Sequence, residues 1–280
     1  MRAVAIIPAR WSSTRFPGKP LHAIAGKPLL QRVWEQCQRA RELHSTIIAT
    51  DDMRIAEAAF RWGAEVALTR SNHRSGTERV AEVAKRAGRF PLILNVQGDE
   101  PLISPPLLDR LVSKMRHDPE IEMITAAHPF ENAADSDSPH QVKVVLDRAG
   151  RALYFSRSPI PFLRDSKGSP RLLRHQGVYG FRRDTLLRLV ALPPSALERA
   201  ESLEQLRALE NGVRVFVLVT KHGSPGVDTP EDAAALERIL ARANIRTTLA
   251  GLPQFEQTRR SSSARAKSRD AKALPKGASR

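Results

Sequence analysis

The chain has 280 residues, 41% of them hydrophobic and 27% charged, with one cysteine and a formal net charge of +15. That length holds one large α/β domain or two small ones with a sizeable core, and no apolar run approaches the roughly 20 residues of a membrane-spanning helix. The lone Cys37 excludes an intrachain disulfide and a thiolate zinc cage, and reads as a small buried hydrophobe on the apolar side of a helix.

The stretch AVAIIPA at 3–9 is a short continuous apolar run rich in β-branched residues, the pattern of a buried strand in a parallel sheet. It lacks a small-residue cleavage site, so it reads as a first strand and not a secretory signal, and the expected compartment is the cytoplasm. A cationic loop follows, and from Pro28 the residues Leu29, Leu30, Val33, Trp34 and Cys37 recur at helical spacing. The alternation continues with TIIAT (46–50) as strand, DMRIAEAAFRWG as helix, EVALT as strand, GTERVAEVAKRAG as helix and LILNV (92–96) as strand. Strand and helix patterns trading places at this interval predict right-handed βαβ units. The expected fold class is therefore α/β, a mixed but mostly parallel sheet with helices on both faces.

The middle of the chain reads differently. MITAAHPF, QVKVVLD, ALYF and VYGFR are strand-like runs separated by turn signals, which predicts a smaller β-rich excursion over about 122–182. RVFVLVT (214–220) then reads as a last main-sheet strand. TPEDAAALERILARA supplies Thr229 as N-cap, Pro230 at the first helical position and acids in the first turn. The expected organisation is one domain over 1–250 and a basic tail over 251–280. From 255 onward eight cations face two acids among Ser and Ala, with almost nothing apolar at a helical period, so this tail is expected to be disordered.

Ligands of open parallel sheets gather beyond the carboxyl ends of the strands, and the first loop, PARWSSTRFPGKPL (8–21), occupies such an end. Arg10 and Arg15 offer bidentate forks, Lys19 a point charge, Ser12 and Ser13 hydroxyl donors, and Gly18 close backbone approach, a set that suits a polyphosphate. The common phosphate loop and the dinucleotide fingerprint are both absent. NVQGDEP (95–101) ends a buried strand in Gln97, Gly98, Asp99 and Glu100, and GVDTPED (226–232) places Asp228 at another strand-to-helix junction. Two acids converging from distant strand ends fit a magnesium–nucleotide site. Asp228 reads equally well as a helix cap, and Glu100 reads as structural.

Other chemistries fail on spacing. None of the eight histidines stands four residues from another, Ser224 lies in HGSPG and not G-x-S-x-G, and no aromatic-rich strand offers a base-stacking surface. A nucleic-acid-binding protein led by its basic tail is the reading from a different class, but residues 1–250 offer no recognition helix or stacking sheet for it.

PARWSSTRFPGKPL, HRSGTERVAEV, NVQGDEPLI, ALYFSRSPIP, ESLEQLRALENG and GVDTPED stand in the order and spacing of the 3-deoxy-manno-octulosonate cytidylyltransferases, and the chain resembles that family from residue 3 to about residue 243. The resemblance implies a Rossmann-like nucleotidyltransferase fold, a homodimer built partly through the smaller β-layer, and a cytosolic place in lipopolysaccharide precursor synthesis. It implies attack of the anomeric hydroxyl of 3-deoxy-manno-octulosonate (Kdo) on the α-phosphorus of CTP. CTP would lie against Arg10, Ser13, Arg15, Lys19, Arg74 and Ser75, and magnesium on Asp99 and Asp228. The acidic sugar would meet Gln97, Arg157, His175, Tyr179, Glu204 and Gln205. Read alone, Tyr179 is a core aromatic, His175 a loop histidine, and Glu204 with Gln205 a solvated helix face. The chain departs from the family pattern in having Trp11 where tyrosine is usual and Gln176 where an aliphatic residue is usual. The closest rival is a cytidylyltransferase of the same fold acting on another acidic sugar, such as sialic acid or an amino derivative of Kdo.

Overall fold

A computed structural model of the protein describes residues 1–12, 16–164 and 171–250. Its strands are β1 (Ala3–Ala9), β2 (Ala23–Ile24), β3 (Lys27–Pro28), β4 (Ser45–Thr50), β5 (Glu65–Leu68), β6 (Leu92–Asn95), β7 (Met123–Pro129), β8 (Lys143–Leu146), β9 (Ala152–Ser156), β10 (Leu173–Arg182) and β11 (Val215–Val219). The helices are α1 (Leu29–Gln38), α2 (Met53–Arg61), α3 (Gly76–Arg86), α4 (Pro105–His117), α5 (Arg183–Ala191), α6 (Ala196–Glu201), α7 (Gln205–Glu210) and α8 (Pro230–Ala250). A first compact unit spans Met1–Glu237 and holds every site residue discussed below; a second begins at Arg238. The basic stretch 251–280, with its expected disorder, lies outside the described residues.

The central sheet runs in the order β11-β7-β10-β6-β1-β4-β5. β6, β1, β4 and β5 are parallel, as the βαβ alternation predicts, and β11 is parallel to β7. β10 enters antiparallel between β6 and β7 and makes the sheet mixed. Alternate residues of a strand face opposite sides, and β1 shows why its run is apolar throughout. Val4 and Ile6 join a core with Val80, Ala84, Leu186 and Leu206, while Ala5 and Ile7 join another with Leu30, Val33, Ile55 and Leu108. Helices α1, α2 and α4 thus cover one face, and α3, α5 and α7 the other.

The smaller β-layer is narrower than the strand-rich sequence suggests. β8 pairs with β9 and with the leading residues of β10, whereas β7 and β10 themselves run in the main sheet. Their burial explains the difference. Met123 through His128 are buried in sequence, as a strand covered on both faces must be. Helices α4 and α5 were not among the expected elements, although in α4 Leu107, Leu108, Leu111, Val112 and Met115 recur at helical spacing behind Pro105.

Three local devices set the edge where the site forms. A Cβ on Gly98 would lie 3.2 Å from the Pro8 carbonyl oxygen and 3.5 Å from Leu30, so glycine lets the end of β6 press against the end of β1. β10 bulges between Gln176 and Tyr179. The Thr125 hydroxyl fixes this bulge by donating to the Val178 carbonyl at 2.7 Å.

Gly180 locks β10 in the middle of the sheet: a Cβ there would meet Ile124 Cγ2 at 2.7 Å, Met115 Sδ at 2.8 Å and Leu94 Cδ2 at 3.0 Å. Gly180→Ala is therefore expected to destabilise the fold by about 2 kcal/mol through overpacking, read from the midpoint and slope of a urea unfolding curve. A midpoint equal to that of the parent chain would contradict this account of the strand.

Candidate active site

The first loop is built to present Lys19. The Gly18 amide donates to the Trp11 carbonyl at 3.2 Å, the Lys19 amide to the Phe16 carbonyl at 3.1 Å, and Lys19–Leu21 then form a 3₁₀ turn. Gly18 has φ +71°, and a Cβ there would meet the Trp11 ring at 3.3 Å. The Arg54 guanidinium stacks over the Trp11 ring at 3.6 Å from the centroid, so this aromatic anchors the loop.

From this turn the Lys19 ammonium donates to Asp99 Oδ2 at 2.9 Å, to the Val227 carbonyl at 3.0 Å and to Asp228 Oδ1 at 3.2 Å. Burial works to lower the Lys19 pKa, but the two carboxylates outweigh it and hold the ammonium above its ordinary value. The sequence left Asp228 open between cap and ligand, and the geometry separates the two roles. Thr229 caps α8 by accepting from the Asp232 amide at 3.2 Å, while the Asp232 carboxylate accepts from the Thr229 and Asp228 amides, both at 2.9 Å. The Asp228 side chain is thereby turned toward Lys19.

Arg10 stands apart from that cluster, beside the N-terminus of α3. One Nη1 bond runs to the Arg74 carbonyl at 3.4 Å, and Nη2 is buried with no hydrogen-bond partner among the described residues. Burial and the neighbouring Arg79 lower the Arg10 pKa, with Asp51, Glu204 and Glu78 opposing. A cation under such stress favours a nearby anion. Arg79, which sequence reasoning passed over, is almost wholly buried and pairs with Asp51 at 3.0 Å. Arg74 is exposed and bonded to Glu78, and Ser75 caps α3 by accepting from the Glu78 amide at 3.2 Å. Ser13 and Arg15 lie outside the described residues.

A cavity of about 220 Å³ opens between α3, β6, β10 and α7. Gln97, Tyr179, Glu204 and Gln205 line it together with Ser75, Thr77 and Arg207, over an apolar floor that includes Met123, Phe181 and Leu203. Glu204 accepts from the Thr77 hydroxyl, and Arg207 is clamped by both oxygens of Glu198. Thr77 and Arg207 lay inside motifs already singled out; Glu198 stands three residues after Ser195, the spacing of a capping box, a signal that could have found it.

Two expected sugar contacts are not among the lining residues. Arg157 spends its guanidinium on the carbonyls of Glu201, Pro139 and Ser202 at 2.7, 2.9 and 3.4 Å. His175 lies behind Tyr179, its ring 5.4 Å from the phenol ring and 5.1 Å from that of Phe155. Since Thr125 already donates to Val178, its oxygen is left to accept from His175 Nε2 at 2.9 Å, which assigns a neutral imidazole protonated on Nε2. Both residues brace the cavity wall from outside.

A family model described as Cytidylyltransferase matches residues 4–215. The 3-deoxy-manno-octulosonate cytidylyltransferase of Geobacter sulfurreducens is 50% identical over 252 residues, covering 86% of this chain and 99% of the relative. That of Solibacter usitatus is 50% identical over 238 residues, covering 85% and 94%. The chain belongs to the 3-deoxy-manno-octulosonate cytidylyltransferase family. It is accordingly a nucleotidyltransferase. A solved structure of CMP:2-keto-3-deoxy-manno-octonic acid synthetase complexed with CTP superposes with a TM-score of 0.83 at 40% identity, covering 87% of this chain and all of that one. A cytidylyltransferase from Leptospira borgpetersenii, at 17% identity and a TM-score of 0.58, shares the fold.

A cytidylyltransferase of this family handles a triphosphate, and the charge layout can be tested against a divalent cation. Asp99 and Asp228 both reach the point occupied by the Lys19 ammonium, so they converge on one position. Among the described residues no group of three or more His, Cys, Asp or Glu side chains gathers that could hold a metal alone. Magnesium typically takes one or two carboxylates and completes its shell with water and substrate phosphate, and the donor set fits that mode.

The enclosed His175 yields a pH dependence. Burial drives its pKa from 6.5 down to about 3, so the fold resists a proton that the unfolded chain accepts. Its contribution is complete above about pH 6.5 and declines as the pH falls toward 3. His175→Gln should therefore lose less stability than the parent chain between pH 7 and pH 4, measured as the drop in urea midpoint; equal drops would contradict the assignment.

Proposed function

We propose that this chain transfers the cytidylyl group of CTP to 3-deoxy-manno-octulosonate, releasing pyrophosphate, and that it does so in the cytosol as a magnesium-dependent homodimer supplying lipopolysaccharide synthesis. One observation carries the reading: Lys19, Asp99 and Asp228, from three distant segments, meet at the sheet edge that also carries the Gln97–Tyr179–Glu204 cavity. The cytidylyltransferase relatives and the CTP-bound neighbour supply the substrate names.

The reaction needs no covalent enzyme intermediate. The residues must hold the anomeric hydroxyl in line with the α-phosphorus and neutralise charge as it grows on the phosphates. Arg10, with a buried donor left over, Arg15, Ser13 and Lys19 take the triphosphate; Arg74 and Ser75, at the start of α3, take the nucleoside. Gln97, Gln205 and Arg207 offer donors to the acidic sugar inside the cavity, Glu204 accepts from its hydroxyls, and Tyr179 closes one wall. Burial, with Glu204 and Glu100 nearby, pushes the Tyr179 phenol up, so it acts as a neutral hydroxyl. Arg157 and His175 hold that wall in place. When bound on Asp99 and Asp228, magnesium supplies Lewis-acid polarisation of the α-phosphate and a lower pKa for the attacking hydroxyl. Lys19 is on a flexible stem, so with a cation held by Asp99 and Asp228 its ammonium would be free to turn toward the triphosphate.

Lys19→Ala is expected to lower turnover by about 100-fold, the scale of one lost transition-state donor, with near-parental turnover as the contrary result. Asp99→Asn should lose magnesium-dependent activity while its circular dichroism stays native, with a lower melting temperature because Lys19 loses one of its two carboxylates; unchanged metal dependence would move the cation elsewhere. Pyrophosphate release with CTP and a panel of acidic sugars should be fastest with 3-deoxy-manno-octulosonate, and a preference for sialic acid or an amino analogue would replace the substrate named here.

A further inference from the structure

Asp99 and Asp228 come from segments more than a hundred residues apart, and the segment that ends in Asp228 has left the sheet. β11 stops at Val219, and Thr220 makes the last ladder-like bond, its amide donating to the Ala127 carbonyl at 2.8 Å. Two hydrogen-bonded tethers then bring the segment back to the end of β6 before α8 begins. The Val227 amide donates to the Asp99 carbonyl at 2.9 Å, and the Ser224 hydroxyl donates to Glu100 Oε2 at 2.9 Å.

The second tether is part of a buried triangle. Gln176 Nε2, from the β10 bulge, donates to the same Glu100 Oε2 at 2.7 Å and to Ser224 Oγ at 2.7 Å. Glu100 and Gln176 are only 8% and 5% exposed, and neither lines the cavity beside Gln97 and Tyr179. Glu100 therefore faces the β10 bulge and the returning segment. It sits one residue after Asp99, and Ser224 four residues before Asp228, so a shift in the triangle shifts one carboxylate against the other.

We infer that Glu100, Gln176 and Ser224 are positioning residues that set the separation of Asp99 and Asp228 and thereby the affinity for a divalent cation–CTP complex. This rests on the reading of the two aspartates as cation ligands. With only two protein carboxylates for the cation, no third side chain corrects an error in their spacing. Ser224→Ala removes the tether at nearly constant volume, and Gln176→Met removes both donors at nearly constant shape.

The test uses the full chain with Mn²⁺–CTP as probe, followed by water-proton relaxation, and Asp99→Asn as reference. Each variant should weaken Mn²⁺–CTP binding at least fivefold. The Mg²⁺ concentration for half-maximal activity should rise by a similar factor while turnover recovers at saturating Mg²⁺. A merely structural role would lower turnover at every Mg²⁺ concentration and leave half-saturation unmoved, which overturns the inference. It is also overturned if both variants bind Mn²⁺–CTP as the parent does while Asp99→Asn does not. Parental binding by Asp99→Asn would instead remove the cation site itself, and the inference with it.

Discussion

The Lys19 ammonium touches two carboxylates and a carbonyl that arrive from the end of β6 and from the turn into α8, and the rest of the site is arranged around that contact. Lys19 is mostly buried, its side chain 16% exposed, whereas Asp99 and Asp228 are 32% and 56% exposed. The cation is thus the desolvated member, and its partners keep a path to solvent and to ligand. An ammonium taken out of water is stable only while opposite charge stays close. The contact therefore holds the first loop against the sheet edge as well as serving chemistry. Gly18, the Trp11 ring and the Arg54 guanidinium over it fix the loop so that the lysine stem starts from a defined place.

A second electrostatic arrangement lies at the start of α3, of opposite character. There the cations Arg10, Arg74 and Arg79 crowd together, and Asp51 and Glu78 compensate them incompletely, leaving a buried Arg10 donor unpaired among the described residues. Two carboxylates answered by one lysine, and beside them an excess of guanidinium, form a field suited to a polyanion carrying its own cation. The cavity lined by Gln97, Tyr179 and Glu204 borders this field through Gln97 and Ser75, so on the proposed reading both substrates would approach one strand end. Attack in line requires that adjacency.

Much of this was legible from the chain. β1, the βαβ alternation and the placement of Lys19, Asp99 and Asp228 at one edge follow from apolar runs ending in charged, glycine-bearing turns, because parallel strands buried on both faces advertise themselves. Tyr179, His175, Glu204 and Gln205 came from motif order alone, since their local patterns resemble ordinary core, loop and helix surface. What escaped depends on tertiary contact. The β10 bulge that turns Gln176 inward is stitched by Thr125, some fifty residues away in sequence. The Arg207–Glu198 pair forms only when α6 and α7 pack. Arg157 and His175, assigned to the sugar by motif, are not among the cavity-lining residues and bond to or pack against its wall.

The most direct test of the central contact is anomalous diffraction at the manganese edge from crystals of the full chain grown with Mn²⁺ and CTP. The account predicts one dominant peak within coordination distance of both Asp99 and Asp228, with the Lys19 ammonium displaced onto phosphate oxygens. A dominant peak away from either aspartate, with Lys19 still bridging the pair in the presence of CTP, would contradict it.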